Sequence, residues 1–306
     1  MNVLFCCENP STSQNEIRTI DDPTLLQDRV LKNLLKTEDR YTLPYPANFA
    51  GIQHEVTPQM RKIVAEWMME VCEEQKCLDE VFSLAMNCMD RFLMCCAIRK
   101  NQLQLLGTVC MLVASKLRES RPLSADMLVY YTDNSIKKSQ LSSWELLVLS
   151  KLKWDIAAVT PQDFLKHLLN RLPIQRLGFD YNMVLNHAKT LIALCAREFE
   201  FSRYHPSIIA CSSIASALFG LGWTTKSGHA TDALLQQLTE ITNIEKDYVE
   251  ECLHQIECML KESAGYSEAS KQSETSIRPD EFTPPPPAKN PEIQVLTPTD
   301  VHDIHF

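Results

Sequence analysis

Glycine is scarce, at 7 residues in a chain of 306. Phosphate-cradling loops depend on it, and neither GxGxxG nor GxxxxGK[ST] occurs, which argues against a nucleotide-binding α/β fold. No uninterrupted apolar run reaches the roughly 18 residues that a membrane helix needs, and no secretory leader pattern is present. Basic charge is also in deficit. Lys and Arg number 30 against 39 Asp and Glu, a formal charge of −9, whereas nucleic-acid binding calls for a basic face. No segment shows the β-branched alternation of a strand. Histidines number 8 and form no nucleophile–base–orienter group, so a hydrolase is not expected.

Cysteine is plentiful, with 12 residues, but its spacing is wrong for metal. There is no CxxC pair and no histidine close by, so neither zinc nor another cofactor is expected. Cys6/Cys7 and Cys95/Cys96 are adjacent, and Cys72/Cys77 are five apart. The others sit singly in apolar helical patterns, as reduced small hydrophobes do.

What the sequence does contain is helical periodicity. Over Asn101–Arg118 the apolar residues Leu103, Leu105, Leu106, Val109, Cys110, Met111, Leu112, Val113, Ala114 and Leu117 cover almost the whole circumference. Such a helix is the buried centre of a helical domain. Gln104 and Lys116 interrupt it, and a charge in an apolar sector needs a partner. Thr57-Pro58 caps and opens a helix to about Gln75, whose apolar arc (Met60, Ile63, Val64, Trp67, Met68, Val71, Cys72) is wider than a surface helix requires. Arg61 falls inside that arc. Helices over Val81–Met94, Ser124–Thr132 and Ser139–Leu152 follow, with Asp90 at the margin of the first and Glu145 on the apolar face of the last. Arg61 with Asp90 suits a buried ion pair. Lys116 and Glu145 suit a shared polar spot on a surface that a partner covers.

Thr160-Pro161-Gln162-Asp163 repeats the capping device of Thr57-Pro58-Gln59. Four helices at about 180–201, 206–220, 230–242 and 246–263 complete a second set of five. A helix over Asp22–Arg40 precedes the first set, and Tyr41–His54, with Pro44, Pro46 and Gly51, is expected as a linker. Beyond Ser263 the composition turns to Ser, Glu, Lys and FTPPPPAKNP, expected as a disordered tail. The fold class is all-α: two tandem five-helix domains (55–157 and 158–263) with an N-terminal segment and helix (1–54) and a tail (264–306).

The stretches MRKIVAEWMMEVCEEQKC, LAMNCMDRFL, LQLLGTVCMLVASKLRE and YTDNSI…WELLVLSKLKW closely resemble the cyclin box of D-type cyclins. The match is dense over 55–157, looser over 158–263, and returns at TPTDV near the C-terminus. The resemblance implies tandem cyclin boxes and a non-catalytic subunit that activates cyclin-dependent kinase 4 or 6 at G1/S, shuttling between nucleus and cytoplasm. It assigns Lys116, Glu145, Leu105 and Ala114 to kinase binding, and Arg61 with Asp90 to their buried support. Met60, Ile63, Val64 and Trp67, with Gln104, correspond to the family's groove for Arg-x-Leu substrates and inhibitors. Their i, i+3, i+4, i+7 spacing shares one helix face.

Leu4-x-Cys6-x-Glu8 resembles the motif by which D-type cyclins dock on retinoblastoma-family proteins. Thr297-Pro298 resembles their proline-directed phosphorylation site, read by a ubiquitin ligase, and Thr283-Pro284 is a second position of the same kind. The glutamate run of some relatives is replaced here by prolines, and residues 41–54 also depart from the family pattern.

Overall fold

A computed structural model of the chain describes residues 22–43, 47–228 and 230–274. Thirteen helices and three short 3-10 turns make up these residues, with no strand among them. The first unit comprises α3 (Pro58–Glu74), α4 (Asp79–Leu93), α5 (Leu103–Arg118), α6 (Ala125–Tyr131) and α7 (Lys138–Lys151). The second comprises α8 (Pro161–Leu169), α9 (Tyr181–Arg197), α10 (Pro206–Gly220), α12 (Thr231–Thr242) and α13 (Lys246–Glu274), with the short α11 (Trp223–Ser227) inserted. Two further helices precede them, α1 (Asp28–Glu38) and α2 (Ala47–Ile52).

Each unit is built round one helix that is apolar on every side. Every residue of α5 from Leu103 to Ser115 is buried, and α3, α4, α6 and α7 pack around it. In the second unit α10 holds this place, with Pro206–Ala215 buried and α8, α9, α12 and α13 around it. Gly107 is what lets α3 approach α5. A Cβ there would meet Val64 Cγ1 and Met68 Sδ at 2.9 Å each, closer than real Cβ contacts come.

The starts of the helices obey the local chemistry. Thr57 Oγ1 accepts from Met60 N–H at 3.2 Å, and Ser124 Oγ from Met127 N–H at 3.2 Å. Thr160 and Asp163 form a capping box, with the Asp163 carboxylate accepting from Thr160 N–H at 2.7 Å. Burial pushes the Cys88, Cys211 and Cys252 thiols up to about 12, as expected of cysteines acting as small hydrophobes.

Several expectations are corrected. Pro23–Leu26 is a 3-10 turn capped by Asp22, so the N-terminal helix starts only at Asp28. The expected linker holds α2, whose Phe49 is buried. Its neighbour Gln53 donates to the Leu93 and Cys96 carbonyls, which a linker residue need not do. The helix expected to reach 201 stops at Arg197, and a 3-10 turn over Phe199–Arg203 follows. α13 runs past Ser263 to Glu274, where a tail was expected, and residues 275–306 lie outside the described residues. Among the described residues no helix is long and apolar enough to cross a membrane.

Candidate functional site

Lys116 stands where α5 leaves the core. Ser115, one residue earlier, is fully buried, its hydroxyl donating to the Leu112 carbonyl (2.9 Å) and accepting from Leu123 N–H (3.1 Å). Arg118, two residues later, holds the helix end against α8 by an ion pair with Asp163 at 3.5 Å. Lys116 projects between these fixed points, and its Nζ reaches Glu145 Oε1 on α7 at 2.5 Å. The Lys116 side chain is 49% exposed and that of Glu145 21%. The apolar sector therefore ends before Lys116, and its charge sits at the surface with Glu145, as a shared polar spot. Leu117, counted among the core residues from sequence, is 43% exposed, and Leu146, beside Glu145, is 63% exposed. The sequence reading passed over Leu146, whose exposure beside Glu145 is visible only once the helix is packed.

Leu105 and Ala114 are buried, Ala114 completely, so their side chains offer little or no surface for a direct contact. An exposed ion pair contributes little by itself, about 0–1 kcal/mol. What it does supply is a fixed arrangement of two opposite charges with exposed apolar residues next to them in the chain.

Elsewhere in the first unit, Arg61 and Asp90 form the expected buried pair. Nε donates to Oδ1 at 2.9 Å and Nη2 to Oδ2 at 2.6 Å. The spare Nη1 donates to the Arg197 carbonyl of α9 at 2.5 Å, and the guanidinium lies 5.8 Å from the Phe199 ring. Sequence reading missed this reach into the second unit, since nothing local marks a backbone carbonyl as an acceptor. The pair is thus a joint between the two units, reinforced by Lys62–Glu198 at 2.7 Å.

The second candidate surface is the stripe on α3. Met60 and Ile63 are half-buried, whereas Val64 and Trp67 are buried. Two of the four expected groove residues thus belong to the core, which explains the over-wide apolar arc: one part faces α5 and the other faces outward. Gln104, 8% exposed, accepts a hydrogen bond from Ser135 Oγ at 3.4 Å, while its Nε2 is buried with no protein partner. A buried amide donor left open lowers stability unless something else accepts from it. Gln104 lies one turn before Gly107, at the close approach of α3 and α5. Leu4, Cys6, Glu8, Thr283 and Thr297 lie outside the described residues.

Comparisons with known proteins bear on the family and the fold. Residues 29–157 match the family profile described as "Cyclin, N-terminal domain", and residues 159–280 that described as "Cyclin, C-terminal domain". The chain is 45% identical over 302 residues to G1/S-specific cyclin-D2 of Rattus norvegicus, covering 98% of this chain and 99% of that one. It is 47% identical over 304 residues to G1/S-specific cyclin-D3 of Homo sapiens, covering 99% of both. Among solved structures, a viral cyclin from Herpesvirus saimiri superposes with a TM-score of 0.66 at 25% identity, over 76% of this chain and 97% of that one. Tandem five-helix units and full-length identity of this order make the chain a member of the cyclin family, of its D type, and hence a non-catalytic regulatory subunit of a protein kinase acting at G1/S.

Proposed function

We propose that this subunit binds and activates cyclin-dependent kinase 4 or 6 and directs it to retinoblastoma-family proteins. The observation that carries the reading is the Lys116–Glu145 pair, fixed at 2.5 Å on the surface and neighboured in the chain by the exposed Leu117 and Leu146. A kinase whose αC helix must be pushed inward needs a rigid, charge-registered surface to press on, and α5 and α7 supply one. The Arg61–Asp90–Arg197 joint keeps that surface stiff by tying α3 and α4 to the second box.

In the same reading, Met60 and Ile63 present apolar surface for the leucine of Arg-x-Leu inhibitors and substrates. The open Gln104 Nε2 would donate to a carbonyl of that peptide. Leu4, Cys6 and Glu8 would dock the retinoblastoma pocket. Phosphorylated Thr297 would present a near-dianionic group to a ubiquitin ligase, with the protein moving between nucleus and cytoplasm.

Co-expression with each kinase, followed by size-exclusion chromatography and phosphorylation of a retinoblastoma fragment, tests the proposal. A co-eluting, active complex with kinase 4 or 6 is expected. Elution of the subunit alone from both would overturn it.

A further inference from the structure

α3 ends in a Schellman motif. Lys76 adopts the left-handed conformation at φ 53°, Cys77 N–H donates to the Cys72 carbonyl at 2.9 Å, and Lys76 N–H donates to the Glu73 carbonyl at 3.0 Å. These are the 6→1 and 5→2 hydrogen bonds of that cap, in which the side chains at its first and sixth positions pack together. In this chain both positions are cysteine. The left-handed residue between them is lysine where glycine is the usual choice, so the side-chain contact across the cap matters more than usual. Both thiols are free.

The two sulfurs differ in access. Cys72 is 6% exposed and packs inward, its Sγ 4.0 Å from Met111 Sδ of α5, while Cys77 is only half-buried. Their interaction is direct: the Cys77 thiol, followed by burial, raises the Cys72 thiol above its ordinary range, with Glu119 and Glu73 adding to the rise. Cys72 is therefore the protected, late-reacting partner and Cys77 the one a solute meets first.

We propose that Cys72 and Cys77 form a reversible thiol–disulfide pair, a peroxide-sensitive modification site at the C-terminal cap of α3. The Cys77 thiolate attacks one oxygen of hydrogen peroxide; the O–O bond breaks, and the departing hydroxide is protonated to water, leaving Cys77 as a sulfenic acid. The Cys72 sulfur then attacks the Cys77 sulfur. The S–O bond breaks as the S–S bond forms, and the Cys72 proton leaves with the hydroxide as a second water. In sum, two thiols and one peroxide give one disulfide and two waters; a dithiol reductant reverses the change by exchange. The backbone hydrogen bond across the cap already holds the two residues together, so closure asks for side-chain rotation more than backbone movement.

The sequence makes the test clean, because trypsin cuts after Lys76, between the two cysteines. The full chain is treated with graded hydrogen peroxide, its remaining thiols are alkylated, and the digest is analysed by mass spectrometry with and without reduction. Peptides 63–76 and 77–91 are expected as one linked species, assigned to Cys72 and Cys77 by fragmentation, appearing before any oxidation of the buried Cys88 and lost on reduction. Cys77→Ser should abolish the linked species and leave Cys72 as thiol, with the helical circular-dichroism spectrum unchanged. Either of two results overturns the proposal: Cys77 advancing to sulfinic acid with Cys72 still alkylatable, or Cys77 joined to a different cysteine.

Discussion

Glu38, in the last turn of α1, caps the start of α10 across 169 positions of sequence: its carboxylate accepts from Ser207 N–H at 2.8 Å and from Ser207 Oγ at 2.7 Å. Burial raises its carboxyl above the ordinary range, and the two bonds from Ser207 and the nearby His205 oppose the rise without cancelling it. The folded state thus holds the Glu38 proton more tightly than the unfolded state. This contribution to stability is complete below the unfolded value and is lost as pH rises through the folded one. Glu38→Gln keeps an acceptor and removes that dependence. Denaturant unfolding from the ordinary carboxylate range into mildly acidic pH should show the variant gaining on the native chain as pH rises. A constant gap would show that folding does not shift this carboxyl, and a gap that changes the other way would show that the cap favours the carboxylate over its acid form.

Asp90 carries both bonds to the Arg61 side chain that also holds the second box. Asp90→Ala strands a guanidinium that is 1% exposed, and the expected loss is about 3–5 kcal/mol. Urea unfolding measures it. A loss under about 1 kcal/mol would mean that the Arg197 carbonyl suffices to hold the cation.

Gly107→Ala sets helix propensity against packing. Alanine gains about 1 kcal/mol in a helix, while overpacking against Val64 and Met68, both buried, costs about 1–3 kcal/mol. The net should be a modest destabilisation, together with weaker Arg-x-Leu peptide binding as Val64 shifts the α3 stripe. Stability and peptide affinity unchanged together would place the close approach elsewhere.

Trp67, 4% exposed, is a poor probe of the groove, because its truncation empties the core at a cost of about 3–5 kcal/mol. Met60→Ser and Ile63→Ser alter the outward part of the same stripe and leave that core filled. Each should weaken an Arg-x-Leu peptide several-fold in a calorimetric titration while kinase co-purification persists. Loss of both activities would show that the half-buried residues support the fold and not the peptide.

Much of this architecture is legible in the sequence because the signals are local. Thr57, Ser124 and Thr160 mark helix starts by capping, and the all-round apolar pattern of 103–115 marks the helix at the centre. The Arg61–Asp90 pair was also readable, as a charge in an apolar arc facing one at another arc's margin. What escaped depends on distant contacts. α2 forms in a proline-bordered stretch because Phe49 packs at a tilt against Phe199, at 4.8 Å between ring centroids. Helical-wheel geometry gives the angle of Lys116 but not the point at which α5 emerges from its neighbours. For the same reason it left open which of Met60, Ile63, Val64 and Trp67 face outward.

The most direct test of the kinase-binding surface is to exchange its two charges, as Lys116→Glu with Glu145→Lys. The exchanged pair can still bridge α5 and α7, so the fold should be kept, but the order of charge offered to a partner is inverted. The account predicts a melting temperature close to that of the native chain and loss of co-purification with cyclin-dependent kinase 4 or 6. Recovery of the kinase at the native level with the exchanged chain would contradict it.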